Sequence, residues 1–227
     1  MSLNEDKLPI SVSAISSPPK KFFEAIPTLD KFSESYHLDV MDGHFVPRLG
    51  LFPEFVEEVS KASELPLKVH LMVSNPENYI QDLILKGASM INFHIESTDH
   101  PDYVLKLIKD SGAEGGIAIN PHTSPASCEY LLPDLASITL MAINPGIVGH
   151  KLIPRSLDKV RDVRTFLEDR GFASKVELEV DGGVTFENAP DLIDAGASAV
   201  VCGAGTVFSS AGTLEENLKR LRDLLKN

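Results

Sequence analysis

His37, Asp39, His70 and Asp181 are the residues of this chain whose types and spacing point most directly to chemistry. His37-Leu38-Asp39-Val40-Met41 reads as a strand, and side chains on a strand alternate faces, so His37, Asp39 and Met41 share one face and Leu38 and Val40 the other. The same alternation joins His70 to Met72. Asp181 closes a later apolar run, Val176 to Val180, and is followed by two glycines. Two imidazoles and two carboxylates meeting inside a protein form a costly polar cluster unless something compensates them. A divalent cation does so, and mixed nitrogen and oxygen donors suit Zn, Fe(II), Mn or Co. A single histidine or aspartate is more often a satisfied core or capping residue; four at strand ends are not so simply explained. Met41, Met72 and Met141 either fill irregular gaps in the core or form an apolar surface around the cation.

Such a cluster needs strands that converge, and the chain supplies them. Eight short β-rich runs recur: 9–13, 36–40, 67–72, 90–94, 115–120, 138–143, 176–180 and 199–202. Helical stretches lie between them, announced by Asn75-Pro76-Glu77, His100-Pro101-Asp102 and Arg155-Ser156, and stopped by Lys86-Gly87-Ala88 and Asp194-Ala195-Gly196-Ala197. Eight strand-helix units predict an α/β fold, the (β/α)8 TIM barrel, as one domain over residues 1–227, with its chemistry at the C-terminal ends of the strands. Neither GxGxxG nor GxxxxGK[ST] is present, which removes the main support for a dinucleotide or P-loop fold.

The chain has 227 residues and a formal charge of -12, with 43% hydrophobic and 24% charged residues. This excess of negative charge argues against nucleic acid or an anionic membrane as partner. A phosphate would have to be held locally, by backbone N–H groups and loop glycines. Cys128 and Cys202 are the only cysteines, too few for a disulfide framework. No leader-like or membrane-length apolar run occurs, so a cytoplasmic location is expected. Lys20-Lys21 and Lys219-Arg220 read as solvated helix faces.

The run HLDVMDGHFVP from His37 to Pro47 closely resembles the strand-2 signature of the ribulose-phosphate 3-epimerase family. The likeness continues in order through HLMVSNPENYI from His70, FHIES from Phe93, NPHT from Asn120, LMAINPG from Leu140 and EVDGG from Glu179. It implies a barrel of the ribulose-phosphate-binding type and a metal-dependent epimerase acting at carbon 3 of a ketose phosphate, most readily D-ribulose 5-phosphate. It also implies His37, Asp39, His70 and Asp181 as ligands to one divalent metal, with Asp39 and Asp181 as the acid/base pair. Gly182, Gly183, Gly203 and Ala204 would hold the phosphate, and Gly146, Ile147, Val148 and Gly149 would lie in a loop over the substrate. A homo-oligomer is the expected assembly.

Several positions depart from the family pattern. Where PSILSAD is usual, the chain has Pro9-Ile10-Ser11-Val12-Ser13, leaving Ser11 and Ser13 as candidates for a substrate-contacting serine, with Ser11 preferred. The usual GFGGQ is Gly146-Ile147-Val148-Gly149-His150, and Arg48 replaces an asparagine. The loop from Gly203 to Phe208 is one residue longer than the common form and is similar to the allulose-6-phosphate 3-epimerase branch, which makes allulose 6-phosphate the alternative substrate. Lys68 shares its strand face with His70, which admits a Schiff-base aldolase; an interior ion pair with a carboxylate is the plainer account. A sugar-phosphate-binding barrel without turnover is a further alternative. His94 and Glu96 share a face at the end of their strand, where a supporting role behind the ligands fits better than a second metal pair.

Overall fold

Strands that must be covered on both faces need apolar residues outward and whatever the barrel interior demands inward. The second strand, Ser35–Met41, is buried at every position. Its outward residues Tyr36, Leu38 and Val40 join the main hydrophobic core, while Ser35, His37, Asp39 and Met41 face inward. A computed structural model of the chain describes residues 10–147, 149 and 151–226. The strands are β1 (Ile10–Ser13), β2 (Ser35–Met41), β3 (Leu67–Met72), β4 (Met90–His94), β5 (Glu114–Ile119), β6 (Ser137–Met141), β7 (Glu177–Asp181) and β8 (Ala199–Cys202). They close in sequence order into a parallel barrel. The register sets Asp39 beside His70 and Met141 beside Asp181.

Among the described residues, seven α-helices surround the barrel: α1 (Pro19–Leu29), α2 (Pro53–Ala62), α3 (Ile80–Leu85), α4 (Pro101–Asp110), α5 (Ser156–Asp169), α6 (Ala189–Asp194) and α7 (Leu214–Leu225). Proline opens α1, α2 and α4, where its missing N–H costs nothing. Asn75-Pro76-Glu77 opens a 3-10 turn, Pro76–Asn78, ahead of α3. The β5–β6 crossover also departs from a regular unit: it is a 3-10 stretch, Pro125–Asp134, with a second proline, Pro133, inside it. Proline removes an N–H donor there and crowds the preceding turn, which opposes α-helix. Among the described residues, no helix is long and apolar enough to cross a membrane.

The barrel interior beneath the site is polar and interlocked. Asn92 Nδ2 donates to Thr139 Oγ1 at 2.8 Å, and Ser137 Oγ donates to Asn92 Oδ1 at 2.6 Å. Gly116 makes room for this network: a Cβ there would lie 1.7 Å from Asn92 Oδ1 and 2.2 Å from Ser137 Oγ. Both neighbours are buried and bonded, so neither can retreat without breaking a bond. Gly116→Ala is therefore expected to lower stability by about 1–3 kcal/mol, as overpacking does, read as a shifted midpoint in urea unfolding.

Candidate metal and substrate site

The strand ends bring the four predicted residues together. His37, Asp39, His70 and Asp181 each offer one ligand atom, all within 4.8 Å of one another. His37 Nε2 is 3.3 Å from Asp39 Oδ1 and 3.7 Å from Asp181 Oδ2. His70 Nδ1 is 3.3 Å from each of the same two oxygens, and the two ring nitrogens are 3.2 Å apart. A tetrahedron of donors about 2.0–2.1 Å from a central cation has edges of about 3.3–3.4 Å. Four of these five distances, from 3.2 to 3.3 Å, lie close to that figure, and the His37–Asp181 edge is longer at 3.7 Å. Asp39 Oδ1 is buried without a hydrogen-bond partner although a nitrogen of each histidine lies 3.3 Å away. The donor set and this orphaned oxygen both fit a divalent cation.

Electrostatics favour positive charge at this point. Burial opposes the His37 imidazolium, but Asp39 and Glu179 outweigh it and hold its pKa well above that of free histidine. Burial likewise opposes ionisation of Asp39, yet His37 and His70 carry its pKa well below the usual carboxylate range. Behind the cluster, His37 Nδ1 meets Glu179 Oε2 at 3.1 Å, and Lys68 Nζ lies 3.3 Å from Glu179 Oε1 while also pairing with Glu177. Glu179 was missed in the sequence, though it shares its strand face with Asp181. The aldolase expectation for Lys68 fails on these contacts. The amine is buried and its pKa raised, burial being outweighed by Glu179 and Glu177, so it stays protonated and cannot attack a carbonyl.

A cavity of about 750 Å³ opens over Asp39 and Asp181. Met41, Met72 and Met141 line it, and Met41 and Met72 also pack with Val46 in a small apolar cluster. Gly182, Gly183, Gly203 and Ala204 line the same cavity, as do Gly146, Ile147 and Gly149. Val148 lies outside the described residues. Gly182 and Gly183 have φ of 104° and 68°, and a Cβ at Gly183 would fall 2.6 Å from Leu152 N, so this loop requires glycine on both counts. Asn188 pins it by donating from Nδ2 to Gly183 O at 2.9 Å.

The expectation for Ser11 is corrected. Ser11 is buried below the site and accepts a hydrogen bond from Ser35 Oγ at 3.0 Å, whereas Ser13, two residues nearer the strand end, lines the cavity. Ser13 Oγ donates to Asp39 Oδ2 at 3.4 Å and accepts from Ser16 Oγ at 3.1 Å. The rule that barrel chemistry sits at the C-terminal strand ends would have chosen Ser13. Arg48 and Lys151, the latter not singled out from sequence, add cationic side chains to the cavity wall.

Comparison with known proteins agrees with this geometry. Residues 9–208 match the model of the ribulose-phosphate 3 epimerase family. The ribulose-phosphate 3-epimerase of Bacillus subtilis (strain 168) is 40% identical over 178 residues, 78% of this chain and 82% of that protein. That of Buchnera aphidicola subsp. Schizaphis graminum (strain Sg) is 40% identical over 202 residues, 88% of this chain and 86% of that protein. That of Escherichia coli (strain K12) is 40% identical over 169 residues, 74% of each. The shared name does not favour the allulose 6-phosphate alternative. Among solved structures, a mutant tryptophan synthase alpha-subunit from Pyrococcus furiosus superposes with a TM-score of 0.69 over 99% of both chains at 16% identity, a likeness of fold alone.

A histidine must be deprotonated to bind a cation, and here Asp39 and Glu179 favour the protonated form of His37. Zn²⁺ loading of the metal-free protein at neutral pH is expected to release about one proton per ion and to weaken as pH falls. Calorimetry in buffers of differing ionisation enthalpy reads the proton count, and zero release would contradict the charge balance described above.

Proposed function

The chain belongs to the ribulose-phosphate 3-epimerase family, and we propose that as an isomerase it inverts carbon 3 of D-ribulose 5-phosphate to give D-xylulose 5-phosphate by proton transfer between Asp39 and Asp181. The observation that carries the residue assignment is the meeting of both carboxylates with His37 and His70 at the base of the cavity. His37, Asp39, His70 and Asp181 hold one divalent ion, with Zn, Fe(II), Mn and Co all suited to the donors. When bound, such an ion supplies Lewis-acid stabilisation of the negative charge that develops on substrate oxygens.

Epimerisation next to a ketone removes the carbon 3 proton from one face and returns a proton to the other. One aspartate takes that proton while the other, protonated, donates from the opposite side, and the roles exchange with the direction of reaction. Ser13, donating to Asp39 Oδ2, leaves Oδ1 free for the cation. The three methionines keep water from the carbanion-like carbon without offering it a proton. Gly182, Gly183, Gly203 and Ala204 bind the phosphate through the backbone, and Arg48 and Lys151 supplement it with charge. Gly146, Ile147 and Gly149, on the cavity wall, belong to the covering loop. Residues 1–227 act as one domain, in the cytoplasm, within a homo-oligomer.

Asp39→Asn and Asp181→Asn are each expected to lower kcat by about 10²–10⁴-fold, the usual contribution of a positioned acid or base. The assay follows epimer formation and deuterium at carbon 3 by NMR in deuterated water. Full turnover by either folded variant would remove that aspartate from the mechanism. Gly183→Ala, strained by its φ and its approach to Leu152 N, is expected to raise KM for the sugar phosphate more than it lowers kcat, as loss of a phosphate contact would.

A further inference from the structure

The two histidines of the quartet face it through different nitrogens. His37 presents Nε2, with Nδ1 against Glu179; His70 presents Nδ1, with Nε2 3.0 Å from His94 Nε2. A neutral imidazole carries one N–H. If His70 Nδ1 is the ligand atom, Nε2 must bear the proton and donate it, and the acceptor can only be the lone pair of His94 Nε2. The His94 proton must then sit on Nδ1, which lies 3.1 Å from Glu96 Oε2. Glu96 is itself fixed, since its Oε1 accepts from Asn120 N at 3.0 Å and from the Thr123 hydroxyl. Every link in this series has one permitted direction of donation.

Packing removes the remaining freedom. His70 and His94 are fully buried, and their rings meet edge to edge through the two Nε2 atoms, nearly coplanar, with 5.1 Å between centroids and 23° between planes. Phe45 covers the His94 ring at 4.9 Å. The series thus runs from β3 through β4 to the loop after β5, and nothing in the proton-transfer chemistry uses it.

We propose that His94 and Glu96 are positioning residues for the metal centre, holding His70 in the tautomer and ring orientation that offer Nδ1. This rests on the reading of the quartet as metal ligands. Outer partners of ligating histidines commonly contribute 10–100-fold to metal affinity.

The test uses the full-length protein loaded with Zn²⁺. Long-range proton–nitrogen NMR of the imidazoles is expected to show His70 protonated on Nε2 and His94 on Nδ1. In chelator competition, His94→Phe, which keeps a flat ring but loses the acceptor, is expected to weaken Zn²⁺ binding by about 10–100-fold. His94→Gln, whose side-chain oxygen can replace Nε2 as acceptor, is expected to recover most of that loss. The proposal is overturned if folded His94→Phe binds Zn²⁺ as tightly as the unaltered protein, or if His70 carries its proton on Nδ1. Should His94→Phe not fold, the tautomers of the unaltered protein decide the matter. His37→Asn separates the two layers: if it leaves Zn²⁺ affinity unchanged, the quartet reading fails and this inference with it. If His37→Asn weakens binding and His94→Phe does not, only the inference fails.

Discussion

Two carboxylates and two imidazoles held about a tetrahedral edge apart form the constraint around which the rest of this molecule is organised. Negative charge on Asp39 and Asp181 cannot be buried there without positive charge between them. Protons on the imidazoles meet that requirement in one state and a divalent cation in another. Closing the barrel supplies the geometry, because only neighbouring and facing strand ends bring residues as far apart in sequence as His37 and Asp181 within ligand distance.

The interior below answers the same constraint. Glu179 sits behind His37, and the Lys68 ammonium is shared between Glu179 and Glu177. The Asn92, Ser137 and Thr139 network fills the remaining polar space, and Thr139 Oγ1 reaches Glu179 Oε2 at 3.5 Å. Buried polar groups of this kind are tolerated only when each finds a partner. Hydrophobic stabilisation is displaced outward, into the layer between the strands and the helices, where rings such as Phe22 and Tyr36 meet edge to face at 5.4 Å.

Strand alternation made the quartet legible in the sequence. His37, Asp39 and His70 fall on inward positions of β2 and β3, and the run ending at Asp181 fixes the third side. The same alternation puts Glu179 on the face of Asp181, but within β7, Glu177–Asp181, nothing local tells which of its carboxylates faces His37 on β2. Ser11 and Ser13 have the same parity, so alternation alone does not separate them; the place of Ser13 at the C-terminal end of β1 does. The 3-10 crossover was hidden for another reason. Pro133 reads as a helix terminator, yet the segment still spans the distance between β5 and β6 without α-helix. Strand ends differ by one or two residues, as at β6, where the expected run to Ile143 stops at Met141: Ala142 N still donates to Asp181 O on β7, but the Ala142 carbonyl accepts from Ile153 N at 2.9 Å and from Ser156 Oγ at 3.1 Å instead of from a strand.

The ligand histidines, aspartates and most of their supports ride on strands, while Arg48, Ile147 and Lys151 ride on loops. A strand residue in a closed barrel is answerable to neighbours on both sides, so its replacement propagates; a loop residue on the cavity wall answers to far fewer. Substitutions at Arg48 or Ile147, on the cavity wall, are therefore expected to disturb the barrel less than substitutions at His37 or Asp181.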